Sequence, residues 1–486
     1  MASASQLIDA AVEAFRALLE VAVEEMGEAR CPASFCEAER RVVGLTRELA
    51  ADLTQRALQQ VSDDSERRLE AAARIRERAG RRGLQLRQER DRKTKVRTLG
   101  GQVVEVVTPY VTARPRTGAP LKKRGAQGTG VYPVLDQLGI AGRSTPAVRF
   151  LVSRAVCEAN SVSSARELLA GSGIEVGHKT ALRLTYMVSD DALRTRKREM
   201  AAQRAGNDEG EFAGQRVVVT VDGGRINIRR RFGGRHKKGG RKRFETDWRE
   251  PKILSVYVLG ENGRRDKSIC SVIDGTLGDA DAVFELIRYH LFRLGVHRAL
   301  DVTLVADGAL WIWNRAGELR EALSLPAARF HEVVDYFHAV ERLGDFSKSQ
   351  AAWSEDYRRL WLTEQKKRLK AGCIEDLEAV FRVIGKRRDD GLATERAYWK
   401  RNRERLRFAA FRDQGLPNGS GVVESAVRQV INLRLKGASM SWMEQHAEGV
   451  LHLRAHAKSG RWVELEAAVF ASTGWRPAAR QPRTPP

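Results

Sequence analysis

The sequence predicts an α/β core that is interrupted by a helical insertion and preceded by largely α-helical N-terminal domains. Three observations predict this fold class. Between residues 207 and 338, runs of β-branched and apolar residues alternate with amphipathic helical stretches. Residues 339–416 are helical and rich in charge, where such a core needs only a short connection. Residues 5–80 are rich in Ala, Leu, Glu and Arg, with apolar positions at helical intervals.

The predicted elements between residues 207 and 338 follow a defined order. Three strands (RVVVTVD, ILSVYVL and SICSVID) come first, then a helix, a fourth strand (DVTLVAD), a second helix, and a strand that runs into a helix (FHEVVDYFHAV). This is the element order of the RNase H-like fold, in which the first and fourth strands lie side by side at the centre of the sheet. We therefore expect Asp222 and Asp307, which end these two strands, to lie close together.

Three carboxylates stand where metal-assisted phosphoryl transfer needs them. Asp222 (VVVTVDGGR) and Asp307 (DVTLVADGA) close buried strands, and Glu424 (NGSGVVESAVRQVINLR) follows a Gly-Ser-Gly turn in a stretch of helical periodicity. In-line displacement at a phosphodiester requires charge neutralisation at the attacking and the leaving oxygen, which two divalent cations provide. Mg²⁺ prefers oxygen ligands. The three acids are thus candidate catalytic residues and candidate ligands of two Mg²⁺ ions, for which Mn²⁺ is expected to substitute.

Taken singly, each acid has an ordinary structural explanation. Asp222 and Asp307 precede glycines, as in strand-ending turns, and Glu424 fits a helix N-terminus, where the macrodipole favours acids. A second motif, Asp335 and His338 in VVDYFHAVERL, also allows both a structural and a functional interpretation. Asp335 fits a helix N-cap and His338 could simply pack, or both could support the acidic site. The joint occurrence of the acids, in this order, favours a metal site.

The chain is strongly basic. Its 486 residues include 85 Lys and Arg against 62 Asp and Glu, which gives a formal charge of +23 and a pI near 10.2. A molecule of this charge attracts polyanions, so nucleic acid is the expected partner. The sequence has no apolar run of about 18 residues and no secretory signal. We therefore expect no membrane association and a cytoplasmic location.

Five cysteines in so long a chain do not form a disulfide framework, which fits a reducing compartment. Cys31 and Cys36 are close in sequence. A zinc site usually needs four ligands, however, and no second Cys or His pair follows them. The sequence leaves two alternatives open, a metal site or two small apolar side chains at a helix turn.

Besides the basic run between residues 74 and 97, two segments are predicted to contact DNA. Residues 144–188 predict a short helix, a Gly-Ser-Gly turn and a second helix that begins near Val176, with helix-turn-helix spacing. The second helix places Lys179 and Arg183 for base or phosphate contact, although such helix pairs also occur in proteins that bind no DNA. After Asp222, a Gly-punctuated segment is dense in cations, which is typical of phosphate contact. Its candidates are Arg229, Arg230, Arg231, Arg235, Lys237, Lys238, Arg241, Lys242 and Arg243.

These patterns divide the chain into six predicted segments. They are 1–98 (an N-terminal helical, basic region whose cations between 74 and 97 face DNA or solvent), 99–206 (a DNA-binding region with strands and the helix-turn-helix-like segment), 207–338 (the first part of the RNase H-like core), 339–416 (a helical insertion domain), 417–460 (the C-terminal helix part of the core) and 461–486 (a partly disordered tail).

The core and its acids resemble the DDE transposases of bacterial insertion sequences, especially the Kra-type group, with looser similarity to the Mutator-like transposases. The resemblance runs from about residue 208 to 456. It rests on VDGGR, ADGALWIWN, the Asp335–His338 pair and NGSGVVESAVRQVINLRLKGASMSW. Relatives often carry a Cys-rich zinc module ahead of the core, whereas the corresponding stretch here, TPYVTARPRTGAPLKKRGAQG, contains no Cys.

The resemblance implies an enzyme that binds transposon ends, frees a 3′-OH and joins it to target DNA. It implies a homodimer or higher oligomer on DNA in the bacterial cytoplasm, associated with the nucleoid. It also implies that Asp222 bridges both ions, Asp307 holds one and Glu424 the other, with Asp335 and His338 in support. Two alternatives stay open: an RNase H-like nuclease without strand transfer, and a retained DNA-binding protein that is not an enzyme.

Overall fold

The structure is a computed structural model that describes residues 4–81, 84–115, 130–203, 205–231, 244–384, 390–437 and 440–472. The chain divides into two compact units, residues 1–191 with 466–486 and residues 192–465. Both units contain helices and strands, so the predicted mixed α/β class is confirmed. Across the described ranges, no helix combines the length and the apolar character that crossing a membrane requires.

The first unit begins with three long helices and a β-hairpin, followed by four further helices. Its elements are α1 (Ala4–Glu28), α2 (Pro32–Asp63), α3 (Ser65–Gly80), β1 (Leu84–Arg97), β2 (Val103–Pro115), β3 (Gly130–Val131), α4 (Pro133–Gln137), α5 (Pro146–Glu158), α6 (Val162–Gly171) and the first half of α7 (His178–Ala202). The helix predicted to begin near Val176 is α7. Cys31 is the N-cap of α2. Within the described residues, neither Cys31 nor Cys36 belongs to a group of three potential metal ligands.

Two predictions for the N-terminal region were wrong. Residues 84–97 form strand β1 and do not continue the helices, and the boundary placed after residue 98 falls in the turn between β1 and β2. Arg, Lys and Gln favour helix, but antiparallel pairing with β2 overrides that preference and buries Thr94 and Val96 on one face. Lys93 and Lys95 alternate with them, are exposed and pair with Glu105.

The second unit is built on one five-stranded sheet with the order β10–β9–β4–β7–β8. The strands are β4 (Arg216–Gly223), β7 (Lys252–Val258), β8 (Val272–Thr276), β9 (Asp301–Ala306) and β10 (Phe330–Val334). β10, β9 and β4 are parallel, whereas β7 is antiparallel to both β4 and β8. The predicted pairing of β4 with β9 is therefore present. Their near-continuous Val and Leu runs are buried, as expected for strands covered on both faces.

The second unit also contains helices α8 (Ala280–Arg293), α9 (Leu310–Ala322), α16 (Glu444–Lys458) and the first residues of α17 (Trp462–Ser472). Of these, α8 and α16 pack directly on the sheet. The predicted insertion is helical and comprises α10 (Tyr336–Ser349), α11 (Glu355–Ala371), α12 (Ile374–Ile384), α13 (Asp390–Asn402) and α14 (Phe408–Asp413). Its aromatic side chains form a core: Trp399 is fully buried and stacks on Phe381, and Tyr398 and Phe408 are also buried. These aromatics therefore do not present stacking surfaces to a ligand.

A separate two-stranded ribbon leaves the sheet directly after Asp222. It consists of β5 (Ile226–Arg231) and β6 (Phe244–Arg249), which pair antiparallel from Ile226 opposite Arg249 to Arg231 opposite Phe244. Ile226 and Ile228 are buried, whereas most of β6 is exposed. The connecting residues 232–243 lie outside the described part of the chain.

One charged cluster in the second unit is centred on a fully buried acid, and we call it the Asp274 cluster. Asp274, in β8, is inaccessible to solvent and accepts hydrogen bonds from Arg196 (3.0 Å) and the Gly275 amide (2.8 Å). Its carboxylate also contacts His290 Nε2 at 3.0 Å and His452 Nδ1 at 2.9 Å. None of the predicted site motifs includes these four side chains.

Candidate active site

Asp222 and Asp307 meet at one edge of the sheet. Because β4 and β9 are adjacent and parallel, with Val221 opposite Ala306, the residues that follow this pair emerge side by side. Both acids line a cavity of about 410 Å³. The remaining lining residues are Gly223, Gly224, Arg225, Glu250, Trp311, Ile312, Val427, Asn432 and Lys436.

The turn after β9 fixes the position of Asp307. The Ala309 amide donates to Asp307 Oδ1 at 3.0 Å, and the Trp313 indole donates to the Asp307 carbonyl at 2.9 Å. Gly308 permits this turn because a Cβ there would lie 2.0 Å from the ring of Tyr398. The Asp-Gly dipeptide therefore ends the strand and is also the point at which the sheet closely approaches the insertion.

Asp222 is partly buried, and its negative charge is poorly compensated. Its Oδ1 accepts a 2.7 Å hydrogen bond from the neighbouring Gly223 amide. Burial raises the pKa of Asp222, and the nearby charges of Asp307 and Glu424 raise it further, against lowering by the Gly223 amide and by His338. The carboxylates of Asp307 and Glu424 are therefore close enough to act on the charge of Asp222.

Glu424 lies on α15 (Gly421–Val427), which Asp335 attaches to the sheet. Asp335 is fully buried at the end of β10 and caps α10 by accepting from the His338 amide at 2.9 Å. Its other oxygen accepts from the Ser420 amide just before α15. The Ser420 hydroxyl in turn donates to Glu424 Oε1 at 3.2 Å. Asp335 therefore acts both as the N-cap that the sequence allowed and as the support of the helix that carries Glu424.

His338 is a cation placed among these acids. Its Nδ1 lies 3.3 Å from Asp335 Oδ1. The contact with Asp335, aided by the charges of Asp222 and Asp307 and opposed by burial, raises the pKa of His338 to about 9. In Asp335, burial raises the pKa, but hydrogen bonds from His338 and Ser420 outweigh it and lower the pKa to about 2. The pair is therefore an imidazolium and a carboxylate at neutral pH.

One group of side chains in this arrangement could hold a metal ion. Among the described residues, the potential ligand atoms of Asp335, His338 and Glu424 all lie within 4.8 Å of one another. Asp222 and Asp307 share the adjoining cavity and interact electrostatically with this group. Because both oxygens of Asp335 already accept backbone hydrogen bonds and His338 is protonated, the carboxylates of Asp222, Asp307 and Glu424 are the better ligands for a hard cation.

The predicted DNA-binding residues fall into two groups. Arg229 lies 3.9 Å from the ring centre of Phe244, and Arg230 pairs with Asp247 at 3.0 Å. Of Arg231 only the backbone is described, in β5, and the remaining candidates of this segment lie outside the described residues: Arg235, Lys237, Lys238, Arg241, Lys242 and Arg243.

Lys179 and Arg183 are exposed one helical turn apart on α7. Arg183 donates to the Gly142 carbonyl at 3.1 Å. Its pKa is lowered by burial and by two further cations, Arg97 and Arg143. Arg97 and Arg143 are joined through a 3.0 Å backbone hydrogen bond. Three arginines are therefore held near one another in the first unit.

Several residues of the site were missed in the sequence. Glu250 precedes β7 and lines the cavity with Asp222, while Arg225 and Lys436 bring positive charge to it. Ser420 lies in the turn quoted for Glu424, and its role depends on Asp335, far away in sequence. Strand pairing predicts the position of Glu250, because Gly223 pairs with Lys252. No comparable sequence signal identifies Lys436.

Comparison of the chain with family models, with curated proteins and with solved structures finds no match in any of the three. The function of the site is therefore inferred from its geometry and chemistry.

Proposed function

We propose that this protein is a DDE transposase that binds insertion-sequence ends and catalyses metal-dependent DNA cleavage and strand transfer. The observation that supports the proposal most is the convergence of Asp222, Asp307 and Glu424 from two adjacent parallel strands and a helix. The strand order β10–β9–β4–β7–β8 agrees with an RNase H-like core, in which the first and fourth strands are central neighbours.

The donor set fits divalent cations with a preference for oxygen. Repulsion from Asp307 and Glu424 contributes to the raised pKa of Asp222, and a bound cation would relieve this repulsion. Asp222, Asp307 and Glu424 would hold two Mg²⁺ ions, with Mn²⁺ as a substitute. When bound, the ions supply charge neutralisation at the attacking and leaving oxygens of the phosphodiester.

The surrounding residues hold the acids and receive the phosphate. Asp335 fixes the start of α15 and thereby Glu424. His338 balances part of the negative charge. Arg225 and Lys436, on the cavity wall, attract the phosphodiester. The enzyme's own groups therefore orient the carboxylates and draw DNA to them.

DNA as the substrate is supported by the distribution of positive charge. The charges that act on Arg183 among the described residues are those of Arg97 and Arg143, and both are cationic. Like charges held together repel one another unless an anion binds. With a formal charge of +23 on the whole chain, a phosphate backbone is the matching polyanion. Binding of two DNA ends would require at least a homodimer.

The proposal is tested by replacing each acid with its isosteric amide. We expect Asp222→Asn, Asp307→Asn and Glu424→Gln each to lower Mg²⁺-dependent DNA cleavage at least about 100-fold, because ligands of the ions are lost. Glu321→Gln is the matched control, since Glu321 is an exposed acid on α9, the helix that follows Asp307. Unchanged cleavage in all three amide variants would refute the proposal.

A strand-transfer assay separates the proposed enzyme from the two alternatives. A pre-cut DNA end with a free 3′-OH, taken from the sequence that flanks the gene, is incubated with plasmid DNA and Mg²⁺. A transposase joins the end to the plasmid, whereas a nuclease cleaves without joining and a retained DNA-binding protein does neither. Terminal inverted repeats and a short target duplication beside the gene would agree with joining.

A further inference from the structure

The β5–β6 ribbon has two faces of different chemistry. In an antiparallel pair, residues that lie opposite each other share a face. The pairing register therefore puts Ile226, Ile228, Arg230, Glu245, Asp247 and Arg249 on one face, and Asn227, Arg229, Phe244, Thr246 and Trp248 on the other. We call the second set the aromatic face. The ion pair of Arg230 with Asp247 and the contact of Arg229 with Phe244 agree with this division.

The aromatic face carries two exposed rings and, among its described residues, no acid. Trp248 is 57% exposed and Phe244 is 45% exposed, so both side chains present ring surface to solvent. Both acids of β6, Glu245 and Asp247, lie on the other face. Arg229 lies over the Phe244 ring. A face made of aromatic rings and a cation, without acids, matches an anionic ligand that offers flat rings.

Trp248 lies at the end of the ribbon nearest the acidic cavity. It is two residues from Glu250, which lines that cavity with Asp222 and Asp307, so the Cα atoms of Trp248 and Glu250 are at most about 7 Å apart. The Gly223 backbone is also close to the Glu250 side chain, because a Cβ on Gly223 would lie 2.3 Å from Glu250 Oε1. The backbone of Trp248 therefore lies beside a residue that lines the cavity of Asp222 and Asp307.

We propose that Trp248 stacks on an unpaired DNA base next to the phosphodiester at the acidic site, with Phe244 and Arg229 extending the stacking surface. This inference rests on the proposed function and adds a structural preference to it, for DNA that is locally unpaired. The positive charge of the residues that connect the two strands favours nucleic acid over a protein partner. Residues 232–243, which join β5 to β6, read FGGRHKKGGRKR, with six Lys and Arg and no acid.

The experiment measures DNA binding by the full-length chain in EDTA, so that cleavage does not interfere. Two 30-base-pair probes of one sequence are compared by fluorescence anisotropy, one fully paired and one with a central three-base mismatch. For Trp248→Ala we expect about 10-fold weaker binding of the mismatched probe and less than twofold change on the paired one, since one stacking contact is lost. Trp248→Phe should retain most of the affinity because a ring remains.

Phe35→Ala is the matched control, because Phe35 is 45% exposed on α2 in the first unit. It should bind both probes like the wild type. Equal loss on the two probes, or no loss on either, would overturn the proposal. A Trp248→Ala protein that binds both probes normally but elutes as a smaller species in gel filtration would assign the indole to contact between copies and would also overturn it.

Failure of this inference is distinguishable from failure of the proposed function. Binding is measured without divalent ions and cleavage with them. A wild-type chain that cleaves DNA while Trp248→Ala leaves mismatch binding unchanged contradicts the stacking role alone. A wild-type chain that neither cleaves nor joins DNA contradicts the proposed function, whatever the effect of Trp248→Ala on binding.

Discussion

The acidic site (Asp222, Asp307 and Glu424) and the Asp274 cluster each place an aspartate on the same five-stranded sheet. They differ in how far other groups compensate the negative charge of that aspartate. Asp274 contacts Arg196, two histidines and a backbone amide, and these contacts outweigh the effect of burial and hold its pKa well below the usual range. Among the described residues, Asp222 receives one hydrogen bond, from the neighbouring Gly223 amide, and its pKa is raised. The hydrogen-bond donors around Asp274 make it a structural acid. Asp222 has few such donors and is therefore suited to bind a cation.

The contrast is sharper because the two aspartates resemble each other in sequence. Each is followed by glycine, in VDGG and IDGT, and each lies within a strand of the sheet. Asp222 pairs with Ile253 and Asp274 pairs with Leu254, so the two lie at almost the same level of the sheet but one residue out of step. Because side chains alternate along a strand, they leave opposite faces of the sheet. A shift of one residue thus separates a structural acid from a candidate catalytic one.

The largest effect on stability is expected from Asp274→Asn. Removing this charge takes from Arg196 one of its two acidic partners, the other being Glu448, and lowers the free energy of unfolding of the second unit by about 3–5 kcal/mol. Denaturant titration of the full-length chain measures the effect. Asp222→Asn is the matched comparison and should not lower stability, because it removes a charge that its neighbours repel. Equal losses in the two variants would remove the distinction between the clusters.

Acid should destabilise the protein through the Asp274 cluster. Burial lowers the pKa of His290 to about 4 and that of His452 to about 3, so both are neutral in the folded chain. Below pH 6.5 the unfolded chain takes up protons that the folded chain does not, so this stability is present above pH 6.5 and is lost as the pH falls toward 4. The expected loss is about 2 kcal/mol per histidine between pH 6.5 and pH 5.

Replacement of the histidines checks this prediction. His452 contacts Asp274 through Nδ1 and His290 through Nε2, so His452→Asn and His290→Gln place an amide near each position. The double variant should show a flatter dependence of unfolding free energy on pH between 6.5 and 5. An unchanged slope would mean that other groups cause the acid sensitivity.

The smallest expected effect is stabilisation by divalent ions. Mg²⁺ or Mn²⁺ at ten times its dissociation constant should stabilise the folded chain by about 1.4 kcal/mol, because only the folded state assembles the site. Thermal unfolding of the second unit measures this as a rise in Tm. The rise should be lost in Asp222→Asn and Asp307→Asn and kept in His452→Asn. A rise that persists in the first two variants would locate ion binding elsewhere.

Much of the core was predictable because its signals are local. The β-branched runs that end at Asp222 and Asp307 and the helical periodicity after Glu424 are properties of a few neighbouring residues, and the structure has strands and a helix there. The N-terminal region was less predictable. Leu84–Arg97 consists largely of residues that favour helix, and it becomes a strand because β2 lies beside it.

The acidic site could be predicted as a set of residues but not as a geometry. The sequence allowed two roles for Asp335, a helix N-cap or a support of the acidic site. Asp335 has both roles, because it caps α10 and also accepts a hydrogen bond from Ser420 in a turn that is distant in sequence. No sequence motif marks Trp248. Its exposure becomes visible only through the register of β5 and β6.

The sequence by itself determined which segments form buried strands and which acids end them, since hydrophobic periodicity and turn residues act over short distances. Only the tertiary structure decided what each acid does. Arg196, His290 and His452 come from three separate helices to surround Asp274, and no such donors reach Asp222 among the described residues. Charge compensation depends on groups far apart in the chain, so a residue's role is set by the neighbours that folding brings to it.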